Sequence, residues 1–197
     1  MERGIVMYAL AINGSARKNG NTAVLLTRTL DQLKTHGIEG ELVQLGGLEV
    51  KPCTACGTCF KKKDKTCVQK DDVFHEVFEK MQRADIIVIG SPVYFGSATS
   101  PTMALLQRAG YVARANGNLL SRKLGGPVAV ARRAGENFTY AQLMFFFMIS
   151  DMIVPGSTYW NVGIAKAVGE MEQDTEALET IDRFAENLAW LAEKIAQ

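Results

Sequence analysis

Four cysteines fall within fifteen residues, and their spacing is the first chemical feature of the chain. Cys53, Cys56, Cys59 and Cys67 follow the pattern C-x2-C-x2-C-x7-C. Three thiolates at three-residue intervals can wrap one cubic iron–sulfur cluster, and a fourth a few residues on can close it. Zinc more often takes two separated pairs. Reduced, empty thiols and regulatory disulfides are the remaining readings. Lys61, Lys62, Lys63 and Lys65 fill the gap before the last cysteine. Such cations favour thiolates and offset part of a cluster's negative charge, but they suit a solvated surface loop equally well.

A second constellation lies near the start, Gly14-Ser15-Ala16-Arg17-Lys18-Asn19-Gly20-Asn21-Thr22. It is rich in hydroxyl and amide donors, and it runs into a helical pattern whose free N–H groups and dipole favour an anion. Ser15, Asn21 and Thr22 can donate side-chain hydrogen bonds to a phosphate, and Arg17 can add a charge-assisted one. The plain alternative is a strand-to-helix turn capped by Asn21. Neither G-x-G-x-x-G nor G-x-x-x-x-G-K-S/T is present, which disfavours a dinucleotide Rossmann site and a P-loop. A third stretch, Ser91-Pro92-Val93-Tyr94-Phe95-Gly96-Ser97, offers aromatic faces for a flat ring and backbone N–H groups for its polar edge. Core or interface aromatics are the alternative there. Arg132-Arg133-Ala134-Gly135-Glu136 is either a solvated turn or a further border of the same site, with Gly135 allowing close approach. His36 and His75 are the only histidines, and neither has a visible partner. No H-E-x-x-H and no Ser-His-Asp arrangement is apparent, so hydrolysis is disfavoured.

The elements that must position these residues alternate regularly. Val6 to Ile12, Glu41 to Leu45, Asp85 to Gly90, Pro127 to Ala131 and Met152 to Ser157 read as strands. The first and third are continuous apolar runs, as in strands buried on both faces of a parallel sheet. Helical periods begin at Asn21 and stop near Gly37, then run from Asp71–Asp72 to Arg83, Thr102 to Arg114, Phe138 to Asp151 and Thr175 to Ala196. Alternation of this kind predicts an open, doubly wound α/β sheet with right-handed crossovers. Gly46 to Gln69, which holds the cysteines, has no strong period, and long excursions of that sort are usually functional. The stretch Leu143 to Met148 is too apolar for one helix face and predicts full burial or a subunit interface.

The chain has 197 residues, 47% of them hydrophobic, and a formal net charge of +1. That suits one ordinary domain with no general pull toward nucleic acid or anionic lipid. No apolar run reaches the ~20 residues of a membrane helix. No signal-peptide pattern is present, so a cytoplasmic location is expected, with neither nucleic acid nor membrane as partner.

Several of these segments match one family. Gly14-Ser15-x-Arg17-x-x-Gly20-Asn21-Thr22 resembles the FMN phosphate loop of the NADPH-dependent FMN reductase and iron–sulfur flavoprotein group, with Ala16 in place of the usual proline. Ser91-Pro92-x-Tyr94-Phe95-Gly96, the cysteine run and Gly156-Ser157-x-Tyr159-Trp160-Asn161 resemble further segments of that group. The resemblance implies a flavodoxin-like fold with a five-stranded parallel sheet in the order 2-1-3-4-5. Residues 1–197 would form a single domain with a cysteine-containing insertion at about 46–70. It implies FMN held by Ser15, Arg17, Asn21, Thr22, Pro92, Val93, Tyr94, Phe95 and Gly96, with Arg132 beside the ring. A [4Fe–4S] cluster on Cys53, Cys56, Cys59 and Cys67 would sit next to it. The expected activity is an oxidoreductase passing electrons from NAD(P)H or a ferredoxin-like donor through FMN to an acceptor. The alternative is an electron carrier between partner proteins. A homodimer or homotetramer is expected, and no side chain is required as a general acid or base.

Overall fold

The computed structural model describes residues 7–196 and contains a five-stranded, all-parallel sheet in the expected order β2-β1-β3-β4-β5. The strands are β1 (Tyr8–Asn13), β2 (Glu39–Gln44), β3 (Ile86–Pro92), β4 (Leu124–Ala131) and β5 (Val162–Ile164). The helices are α1 (Asn21–Thr35), α2 (Thr58–Lys62), α3 (Phe74–Arg83), α4 (Ser100–Ala115), α5 (Glu136–Ile149) and α6 (Thr175–Ala196). Val6, the expected start of the first strand, lies outside the described residues.

The continuous apolar runs are explained by burial on both faces. Leu10, Ile12, Ile87 and Ile89 face a core built with α3, α4 and α5. Ala9, Ala11, Ile86 and Val88 face the opposite core, built with α1 and α6. On α5, Leu143, Phe146 and Phe147 point inward, while Phe138, Phe145, Met148 and Ile149 are exposed. Among the described residues no helix is long and apolar enough to cross a membrane.

The fifth strand departs from expectation. Met152–Ser157 is not that strand: only Ile153 bridges to Leu124, at the start of β4. The chain then leaves the sheet and returns as Val162–Ile164 beside Ala129–Ala131. Proline accounts for the break. The Asn161 amide donates to the Pro127 carbonyl at 3.2 Å, so that carbonyl faces the fifth position, and Pro127 has no N–H to offer there. Pro155 likewise has no N–H.

The cysteine insertion also holds more structure than its sequence suggests, because α2 lies inside it. Its two stems are tied to α4 by Arg108, which is 1% exposed and lies 4.0 Å over the Phe74 ring. Arg108 pairs with Asp72 and donates to the carbonyls of Lys51 at 3.2 Å and Gln69 at 2.9 Å. Asp72 in turn accepts the Lys51 N–H at 2.8 Å and the Phe74 N–H at 3.3 Å. Burial pushes the Asp72 carboxyl up. The Arg108 and Lys51 hydrogen bonds and the guanidinium charge outweigh that and hold it below the ordinary carboxylate range.

Breaking such a pair leaves an uncompensated buried charge, which costs about 3–5 kcal/mol. Arg108→Met should therefore lower the unfolding free energy by about 3 kcal/mol in urea denaturation. Asp72 is depressed in the folded state, so its contribution is fully present above the ordinary pKa of about 4 and disappears as pH falls through the lower folded value. Asp72→Asn should flatten the acid limb of a stability-against-pH curve; an unchanged limb would assign the effect elsewhere.

Candidate functional site

At the β1/β3 switch point the chain turns toward β2 after one strand and toward β4 after the other, which opens a crevice beyond their carboxyl ends. Two of the loops singled out in the sequence meet there. The Gly14 N–H donates to the Gly90 carbonyl at 2.8 Å, and the Gly14 carbonyl accepts the Thr99 hydroxyl at 2.7 Å. Thr102 shares a hydrogen bond of 2.8 Å with Thr99. A Cβ on residue 14 would stand 1.9 Å from the Thr102 hydroxyl, so only glycine allows this approach. The Ser91 hydroxyl accepts the Thr99 N–H at 3.0 Å, which closes the link to the ring loop.

The first loop turns donors toward the crevice and carbonyls away from it. Gln44 donates to the Ser15 carbonyl at 2.5 Å, and a Cβ on Gly46 would meet the carbonyls of both Ser15 and Ala16. The Ser15 hydroxyl accepts the Arg17 N–H at 3.1 Å, which leaves its own proton to donate. The α1 ladder starts with Ala23 donating to Gly20 at 2.9 Å, so the N–H groups of Asn21 and Thr22 have no helical acceptor. Arg17 is exposed, and Thr22 packs its methyl over Gly90. Asn21 differs from expectation. Gly20 is the N-cap, and the Asn21 side-chain amide donates to the Ala167 carbonyl at 2.8 Å. One amide hydrogen thus fastens a distant loop, and the Asn21 backbone N–H has no helical acceptor. The set of free N–H groups, a hydroxyl and a cation at a helix start fits a phosphate.

The ring loop is a tight turn. Tyr94 and Ser97 exchange backbone hydrogen bonds of 2.8 and 3.1 Å, and Phe95 and Gly96 both have positive φ, at 52° and 77°. Tyr94 is half exposed, and Phe95, at 109% relative accessibility, touches nothing that hides it. Val93 donates to the Val130 carbonyl at 2.8 Å, and Pro92 ends β3. The loop after β4 abuts the turn: a Cβ on Gly135, whose φ is 94°, would lie 3.0 Å from Val93 and 3.5 Å from Gly96. Arg132 is exposed on that loop and forms no ion pair among the described residues. Sequence reasoning missed Thr99 and Thr102, because buried hydroxyls at a helix start read as ordinary caps.

All four cysteines are free thiols and line one pocket of about 170 Å³, with Phe60, Val68, Arg108 and Tyr111 among its other walls. Hydrogen bonds from Thr58 lower the thiol of exposed Cys56. Burial pushes Cys59 up, and the charges of Cys53 and Cys56 raise it further. Among the described residues no three His, Cys, Asp or Glu side chains are arranged as a metal centre. The cysteines thus share a wall without converging on a point. His75, which had no visible partner in the sequence, has its ring nitrogen 2.9 Å from the Cys67 carbonyl.

Phe95 yields a prediction. A left-handed backbone costs a non-glycine residue about 1–2 kcal/mol, against about 0.5–1 kcal/mol of extra backbone entropy for glycine. With no packing to lose, Phe95→Gly should raise the stability of the ligand-free protein by about 0.5–1 kcal/mol. A fall in its urea midpoint would mean that Phe95 has a packing partner in solution.

Comparison with known proteins shows the family and the fold. An iron–sulfur flavoprotein of Methanocaldococcus jannaschii is 36% identical over 190 residues, covering 93% of this chain and 96% of that protein. An iron–sulfur flavoprotein of Methanosarcina thermophila is 32% identical, covering 96% and 97%. Among solved structures, RosB with a bound formylated riboflavin-phosphate intermediate superimposes with a TM-score of 0.78 at 20% identity, covering 96% of this chain and 80% of that one. An archaeal flavodoxin gives 0.62 at 13% identity, covering 95% and 99%, so the fold is flavodoxin-like. The profile of the NADPH-dependent FMN reductases matches residues 7–167, and the chain belongs to that family of flavin-binding oxidoreductases.

Proposed function

We propose that the chain is an FMN-dependent oxidoreductase that passes electrons from NAD(P)H or a reduced protein donor to an acceptor. The observation that carries this reading is the Thr99 stitch, which sets a phosphate-type helix start beside an exposed aromatic turn. FMN, when bound, supplies the redox chemistry. The protein's own part is to bind and orient. Ser15, Arg17 and the N–H groups of Asn21 and Thr22 would hold the phosphate. Pro92, Val93, Tyr94, Phe95 and Gly96 would meet the ring, with Arg132 at its border.

A second reading, an electron carrier between partner proteins, is favoured by the shared cysteine pocket and by the similarity to iron–sulfur flavoproteins. Cys53, Cys56, Cys59 and Cys67 fit a [4Fe–4S] cluster in type and number, and such a cluster would supply single-electron exchange. The insertion would have to draw the four sulfurs inward to bind it. The exposed apolar side of α5 supports a homodimer or homotetramer in either case.

The test is the visible spectrum of protein purified without oxygen, with iron and sulfide assayed on the same sample. Flavin bands with about four irons per chain are expected for the two-centre reading. Flavin bands without iron leave an FMN reductase, and no flavin after added FMN overturns both. Steady NAD(P)H turnover with an added acceptor separates an enzyme from a carrier reduced only by a ferredoxin-like protein.

A further inference from the structure

The turn that would meet the ring is held from behind by one side chain. Gln142, midway along α5, accepts two hydrogen bonds through Oε1, from the Ser97 hydroxyl at 3.0 Å and the Ala98 N–H at 2.8 Å. The turn needs such a tie. Phe95 and Gly96 both sit in the left-handed region, and the turn's own backbone closes only through the Tyr94–Ser97 pair. The same helix touches the turn from its other end, where Gly135 lies against Val93 and Gly96. Thr139, one turn earlier on α5, is a useful contrast. Its hydroxyl is buried and forms no hydrogen bond, to the turn or elsewhere.

We propose that Gln142 is a positioning residue that fixes where the Tyr94–Ser97 turn meets the flavin, and so sets the difference in affinity between oxidised and reduced FMN. This rests on the FMN reading above. Reduction changes the protonation and charge of the ring's polar edge, which protein groups near it tune. A turn held in place answers those two forms unequally. A loose turn adapts to each, and the two affinities draw together. The tie is a pair of hydrogen bonds from one oxygen, so it can be removed stepwise: Ser97→Ala takes one, and Gln142→Leu takes both. Gln142→Glu keeps an acceptor oxygen in place. Thr139→Val alters the same helix without removing a hydrogen bond to the turn.

The experiment has two readouts. Without flavin, amide hydrogen exchange over Tyr94 to Ala98 reports the turn itself. With flavin, FMN titrations of the oxidised and reduced protein report the two affinities. Gln142→Leu should speed exchange over those residues, weaken oxidised FMN about tenfold, as expected for losing two hydrogen bonds, and move the bound midpoint potential toward that of free FMN. Ser97→Ala should fall between, Gln142→Glu should restore slow exchange, and Thr139→Val should match the wild type. Unchanged exchange in both Gln142→Leu and Ser97→Ala overturns the proposal. So does an equal loss of affinity in both redox states, which is what a merely structural role gives. Wild-type protein that takes up no FMN overturns the FMN reading and the proposal with it, a failure visible before any variant is made.

Discussion

The carboxyl end of the sheet depends on how closely Gly14 can approach the start of α4. With no Cβ in the way, the Gly14 carbonyl reaches the Thr99 hydroxyl while its N–H reaches Gly90. Two loops from different strands become one surface. Hydroxyls suit this task because each can donate and accept at once. Thr99 donates to Gly14 and shares a bond with Thr102, while its backbone N–H is taken by Ser91. A buried network that is satisfied in this way stiffens the site. The groups left over are the first N–H groups of α1, which have no helical acceptor, and the exposed aromatic turn.

Much of this was legible in the sequence because it is local. The donor-rich loop before the first helical period, and the aromatic stretch after the third apolar run, are contiguous segments. The strand order follows once the fold is named. What stayed hidden involves groups far apart in the chain. The Asn21 amide also donates to the carbonyl of Ala167, which is 146 residues away. Gln142 carries no signal in the sequence, and its value lies in meeting Ser97 and Ala98, 45 and 44 residues away. Met152–Ser157 looked like a strand, and only the register against β4 reveals that Ile153 alone bridges and that Pro127 has no N–H to offer beyond it.

The cysteine insertion follows a different logic. Buried ion pairs are weak evidence for stability, because desolvation offsets much of their attraction. Their better use is to fix one arrangement among several. Arg108 does that here, since its donors reach Lys51 on one stem, Gln69 on the other, and Asp72 at the start of α3. An apolar residue could fill the space but could not choose that register.

That anchoring separates the fold from the thiols. Small metal domains fold only with their metal, since nothing else holds the ligands near one another. In this chain the stems are closed by Arg108 and Asp72, and the sheet and its helices pack without help from Cys53 or Cys56. The position of the insertion is therefore set by its stems, independently of the thiols. The helix that carries Arg108 begins directly after Thr99. At 1.5 Å per residue, Arg108 lies about 12 Å along its axis from Ser100. One rigid element thus carries a wall of the cysteine pocket at one end and the stitch between the two crevice loops at the other. The spacing between the cysteine pocket and the crevice loops is then a property of the scaffold.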